Sequence, residues 1–199
     1  ELPGRSPVYS MNGMAATSHP DGTLAALDVL RDGGNAVDAA IAAVAVLGVV
    51  ESAMTGVGGD CFVLYSPKRG EPIALNGSGC APGKATVDWF REQGIAEIDQ
   101  DSAHAVTIPG AVDAWCQLSK DYGTKGLDEL LQPAIDKAEN GYRIMDRVAF
   151  DHAGAVERMK KDEYLSARFL MGGKSMPIGT KHTQPQMAET LRRIAEDGR

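Results

Sequence analysis

Cysteine is scarce: Cys61, Cys80 and Cys116 are the three in 199 residues, an odd number without C-x-x-C spacing. That argues against a disulfide framework or a cysteine zinc site and fits a reducing compartment. Aromatic residues make up 6% of the chain, so the core must be built from Ala, Val, Ile and Leu. Long hydrophobic runs are also missing. The longest, Ala39 to Val50, covers 12 residues, short of the roughly 18 needed to span a bilayer. The opening ELPGRSPVYS has no signal-peptide apolar core. The expectation is a soluble cytoplasmic chain, or a periplasmic one if a signal peptide has been removed. Basic charge is in deficit, with 20 Lys and Arg against 27 Asp and Glu and a net charge of −7. Nucleic acid and membrane surfaces are therefore not expected partners.

Four histidines, His19, His104, His152 and His182, are scattered without H-x-x-x-H or H-E-x-x-H spacing, so no metal site is expected, and no cofactor. There is no G-x-S-x-G elbow, and Ser102-Ala103-His104 sits in a polar stretch where chance proximity is the simpler account. Thr17 precedes Ser18-His19. A threonine can act as nucleophile and base when it heads a chain, but Thr17 is internal and reads as the lead-in to a helix.

What is present is a globular composition, 43% hydrophobic and 24% charged, with 23 glycines. Ser18-His19-Pro20-Asp21 reads as a helix start with a capping hydroxyl, and Gly33-Gly34 as its end. Asn35 can cap a second helix to about Leu47, apolar enough to be buried on all sides. Cys61 to Tyr65 and Ile73 to Asn76, flanking Pro67-Lys68-Arg69-Gly70, read as a hairpin of central strands with that helix on one face. Further helices are expected near 86–93, 110–122, 127–140 with a break at Pro133, 146–161 and 184–197, the last opened by a capping box at Thr183. No internal repeat or linker divides residues 1–199.

Two glycine clusters stand out. Gly56-Val57-Gly58-Gly59-Asp60-Cys61 has cysteine at its sixth position and leads into a strand, unlike a dinucleotide loop. It reads as a turn that lets backbone approach a neighbouring strand or a ligand. Asn76-Gly77-Ser78-Gly79 is either a plain strand-end turn or a place where bare amides and the Ser78 hydroxyl touch a substrate.

The ordered strings Met14-Ala15-Ala16-Thr17-Ser18-His19-Pro20, Val29-Leu30-Arg31-Asp32-Gly33-Gly34-Asn35-Ala36-Val37-Asp38-Ala39-Ala40 and Gly56 to Asp60 resemble the large-subunit portion of the γ-glutamyltranspeptidase family. Ala81-Pro82, Ile108-Pro109-Gly110-Ala111-Val112 and Leu130-Leu131-Gln132-Pro133-Ala134-Ile135 continue the resemblance, which covers about residues 9–199. It implies an α/β (α+β) N-terminal nucleophile hydrolase, an αββα sandwich made as a precursor that cleaves itself. Residues 1–199 would be the N-terminal part of one domain, completed by a small subunit from the same precursor, with assembly into a homo-oligomer open. The implied chemistry passes a γ-glutamyl group from a glutathione-type amide to a threonine that opens the small subunit, then to water or an amine. On this reading no catalytic residue lies in the chain.

The family's D-F-R-E-x-A-P segment, whose arginine holds the donor α-carboxylate, corresponds here to Asn76-Gly77-Ser78-Gly79-Cys80-Ala81-Pro82, so Ser78 stands at the arginine position. Asn76, Gly77, Ser78 and Gly79 are the expected substrate-binding residues. One neutral hydroxyl in place of a charged fork weakens a carboxylate clamp. The alternatives to a γ-glutamyl donor are a small-molecule amide of another acyl group, of the oxamate or cephalosporin side-chain type, and a non-catalytic remnant of the fold.

Overall fold

Pro20–Arg31 forms the first helix, α1, in a computed structural model that describes residues 7–198. Residues 1–6 and Arg199 lie outside it, and with them part of the stretch read for a signal peptide. The cap of α1 is His19, whose ring accepts the Asp21 amide at 3.1 Å. The sequence pointed to the Ser18 hydroxyl, but that hydroxyl donates instead to the buried carboxylate of Glu51. Thr17 does lead into the helix, donating to the His19 carbonyl at 2.6 Å. The second helix, α2 (Ala36–Val50), is capped as expected. The Asn35 side chain accepts the Val37 and Asp38 amides, and Asp38 reaches back to the Asn35 amide at 2.8 Å.

Small residues let the two helices approach closely: a Cβ on Gly22 would lie 2.8 Å from a Leu47 methyl. Burial of α2 is not all-round. Ala36 and Ala40 are exposed, and Val44 and Leu47 are half-buried. Ala36, Ala40 and Val44 form one stripe at helical spacing that borders open grooves, while Leu47 packs on α1.

The hairpin forms as expected, β1 (Cys61–Tyr65) antiparallel to β2 (Ile73–Gly77), and its register sets Cys61 opposite Gly77 and Tyr65 opposite Ile73. Alternation follows the pleat. Cys61, Val63, Tyr65, Ile73 and Leu75 turn inward, whereas Phe62 and Leu64 stay 69% and 80% exposed. A short helix α3 (Val87–Glu92), capped by Thr86, and then α4 (Ala111–Tyr122) follow. It is α4 that supports the hairpin, through the approach of Gly77 to Ala114 and a 5.2 Å contact between the Tyr65 and Tyr122 rings. Helix α2 lies on one face of the hairpin, as expected, with Val44 half-buried, but the two are not in contact throughout. Ile41 is buried, but an apolar groove of about 500 Å³, lined by Ala40 and Val44 of α2, Cys61 and Val63 of β1 and Trp115 of α4, opens between helix and hairpin.

The chain continues through α5 (Leu127–Leu130) and α6 (Gln132–Asn140), separated at Leu131 just before Pro133. Two-residue strands β3 (Tyr142–Arg143), β4 (Leu170–Met171), β5 (Lys174–Ser175) and β6 (Lys181–His182) pair as β3 with β6 and β4 with β5. Around them lie α7 (Asp146–Met159), α8 (Glu163–Phe169) and α9 (Pro185–Asp197). Neither α8 nor these small sheets follow from the sequence pattern, and the capping box expected at Thr183 does not form. The cap of α9 is Gln184, whose side-chain amide is buried and donates to the Val49 carbonyl and the Tyr142 hydroxyl. Leu130, Leu131, Ala134, Ala188 and Leu191 are fully buried and join α2 in one core. Among the described residues no helix is long and apolar enough to cross a membrane.

Candidate substrate site

The turn that ends β2 carries the four residues singled out in the sequence. Asn76 is exposed and accepts the Ser78 amide at 3.0 Å, an Asx turn that fixes the direction of the following residues. Ser78 is half-buried, its hydroxyl 3.5 Å from the Gly79 carbonyl. Thr107 donates its hydroxyl to the Ser78 carbonyl at 3.3 Å, and the Ile108 amide donates to the Cys80 carbonyl at 2.9 Å. Residues 107–108 therefore run beside the turn and hold its backbone.

Glycine is required here by space. Gly79 has φ +73, and a Cβ on it would fall 1.8 Å from the Ile108 oxygen. A Cβ on Gly110 would fall 2.4 Å from the Gly77 oxygen. The Gly59 carbonyl completes the junction by accepting the amides of Gly110 and Ala111 at the start of α4. The two glycine clusters thus meet through Gly59, Gly77, Gly79 and Gly110, and Ser78 stands on the junction. Thr107, Ile108 and Gly110 were not candidates from the sequence. The signal available was Pro109-Gly110 directly before a helix. The polar partners of the turn, Asn76, Gly79, Thr107 and Ile108, include no cation.

Other buried polar groups are accounted for differently. Asp38 is fully buried; burial alone would raise its pKa, but the Thr124 hydroxyl and the amides of Asn35, Thr124 and Lys125 outweigh it and hold the carboxyl below its usual range. It fastens the start of α2 to the 124–125 loop. His19 has its pKa lowered chiefly by burial. His152 and His182, distant in sequence, both contact the Phe169 ring at 5.6 Å, and burial first, then the neighbouring His152 and Arg168, pushes His182 down to about 4. Among the described residues no group of three or more His, Cys, Asp or Glu side chains is placed to hold a metal.

Comparison with known proteins places this geometry. The γ-glutamyltranspeptidase family model matches residues 22–199. The oxamate amidohydrolase proenzyme of Klebsiella pneumoniae is 34% identical over 194 residues, covering 95% of this chain and 37% of the relative. The structure of cephalosporin acylase from Bacillus halodurans is 39% identical with a TM-score of 0.91, over 98% of this chain and 38% of that one. Helicobacter pylori γ-glutamyltranspeptidase is 34% identical with a TM-score of 0.90, over 97% of this chain and 56% of that one. The chain spans a little over a third of the length of the curated relatives it matches first. The mixed α+β architecture is that of the N-terminal nucleophile hydrolases. On the strength of the family model and these relatives, the chain belongs to the γ-glutamyltranspeptidase family.

Proposed function

We propose that residues 1–199 form the N-terminal part of a single domain, completed by a small subunit from the same precursor, that hydrolyses or transfers an amide-bound acyl group through an acyl-threonine intermediate. The threonine lies outside this chain. In this chain Asn76, Gly77, Ser78 and Gly79 contact the acyl group. The observation that carries the reading is the junction itself. Four glycines strip side chains from three converging segments and leave the Ser78 hydroxyl on a backbone held by Thr107 and Ile108. Such a site offers neutral donors and little bulk, which favours a small acyl group without an α-carboxylate. The similarity to the oxamate amidohydrolase and the cephalosporin acylase supports that choice. A γ-glutamyl donor is the second reading, supported by the likeness to the Helicobacter pylori transpeptidase.

The test is kcat/KM for glutathione and for oxamate in the complete enzyme and its Ser78→Arg and Ser78→Ala variants. Ser78→Arg should shift the ratio toward glutathione by roughly tenfold or more, since a charge-assisted bond contributes about 1.5 to 3 kcal/mol. Ser78→Ala should change it far less. An unchanged ratio in Ser78→Arg, with glutathione already preferred by the wild type, would transfer the choice to the γ-glutamyl reading.

A further inference from the structure

The glycine-rich turn before β1 has a second face. There a recess of about 290 Å³ lies between Gly56, Val57 and Gly58 on one side and Arg168, Gln186 and Thr190 on the other. We propose that this recess binds a small carboxylate anion, with the Arg168 guanidinium as its charged anchor. The inference does not rest on the acyl-transfer reading of Ser78.

Two independent observations carry it. The first concerns charge. Six of the nine described arginines are ion-paired with carboxylates, and Arg168 is one of the three, with Arg69 and Arg143, that are not, in a chain whose acids outnumber its bases. Its guanidinium lies 5.1 Å above the Tyr164 ring and bonds to the side-chain oxygen of Gln186, which orients the fork but leaves donors over. Among the described residues no Asp or Glu lines this recess, nor the adjoining one of about 370 Å³ that Arg168 also borders. A half-buried guanidinium without a carboxylate partner among the described residues invites a carboxylate, which matches its two-pronged geometry.

The second concerns the turn. Gly56 and Gly58 do not have positive φ, and a Cβ on either would meet nothing within 4 Å. Neither strain nor packing among the described residues therefore requires glycine at these two positions, in contrast to Gly79 and Gly110. Glycine does, however, hold open the approach to the backbone opposite Arg168. At about 290 Å³ the recess suits a ligand of a few heavy atoms.

The experiment is calorimetric titration of the complete protein at low ionic strength with glutarate, and with glutaramide as its uncharged match. Saturable glutarate binding is expected, with glutaramide at least tenfold weaker. Arg168→Gln should weaken glutarate by roughly tenfold or more, Arg168→Lys should lie between, and Ser78→Ala should leave binding unchanged. Gly58→Val fills open space without touching the charge and should weaken glutarate while preserving the thermal transition, so it decides the matter if Arg168→Gln does not fold. The inference is overturned by absence of saturable binding or by equal binding of the two ligands. It is equally overturned by retention of affinity in Arg168→Gln or Gly58→Val, or by loss in Ser78→Ala, which would move the carboxylate to the acyl site.

Discussion

Gly79 and Ile108 are in such close contact that the missing side chain of one is the space taken by the carbonyl of the other, 1.8 Å from where a Cβ would stand. Gly79→Ala must therefore displace residues 107–110 as well as accept a left-handed backbone. Two hydrogen bonds, from Thr107 to Ser78 and from Ile108 to Cys80, depend on that contact. A loss of about 2 to 4 kcal/mol is expected, combining the left-handed penalty with the two bonds. Urea unfolding measures it, and in the complete enzyme kcat/KM should fall with it. Tolerance of alanine would mean that residues 107–110 do not press on the turn.

Asp38 gives a prediction about acid. Its carboxyl has a lower pKa folded than unfolded, so its contribution is fully present above the unfolded value of 3.8 and disappears as pH falls through the lower folded value. Asp38→Asn should lower stability at neutral pH by about 3 kcal/mol, as expected for a buried charge-assisted network. It should also flatten the decline below about pH 4. Denaturant titrations between pH 2 and pH 7 compare the two slopes.

The histidines act in a different window. His182 binds its proton more weakly folded, at about 4, than unfolded, at 6.5. Its contribution is therefore complete above pH 6.5 and lost as pH falls toward 4. His152, whose pKa is also lowered chiefly by burial, adds in the same direction, opposed by Asp151. His182→Leu should reduce the fall in melting temperature between pH 7 and pH 4.5 in differential scanning calorimetry. A slope equal to wild type would show that the imidazole is not the group responsible.

Phe62 and Leu64 lie on the outer face of a two-stranded sheet, and such sheets are marginal without a further layer. Residues 1–199 produced alone should bind a hydrophobic dye such as anilinonaphthalene sulfonate. Phe62→Ser with Leu64→Ser should abolish most of that binding and also reduce the yield of complete enzyme by at least severalfold. Normal yield from the double variant would show that the face is not needed for assembly.

The fold was legible wherever a local signal stood alone. Asn35 and Asp38 announce α2 by their spacing, and Pro67 to Gly70 separates two strands whose pairing follows at once. Ser18 and Thr183 misled because their neighbours carry the caps. The Ser18 hydroxyl goes to Glu51, and the Gln184 side chain is drawn to Val49 and Tyr142, partners far away in sequence. α8 was hidden because a charged run around Arg158 to Glu163 reads as one helix end, whereas Asp162 starts a new helix by capping Leu165. At the site, each glycine cluster is visible as a turn. That Gly59, Gly77 and Gly110 converge is a matter of tertiary distance, which local spacing does not encode.

The short connection between α1 and α2, residues 32–35, has a kinetic consequence. Two helices so close along the chain, meeting through Gly22 and Leu47, close little loop entropy and can associate early. The glycine junction joins Gly59, Gly77 and Gly110 across longer separations and must wait for α4. Substitutions in the α1–α2 seam should therefore slow refolding, whereas those at the junction should leave the refolding rate nearly intact and accelerate unfolding.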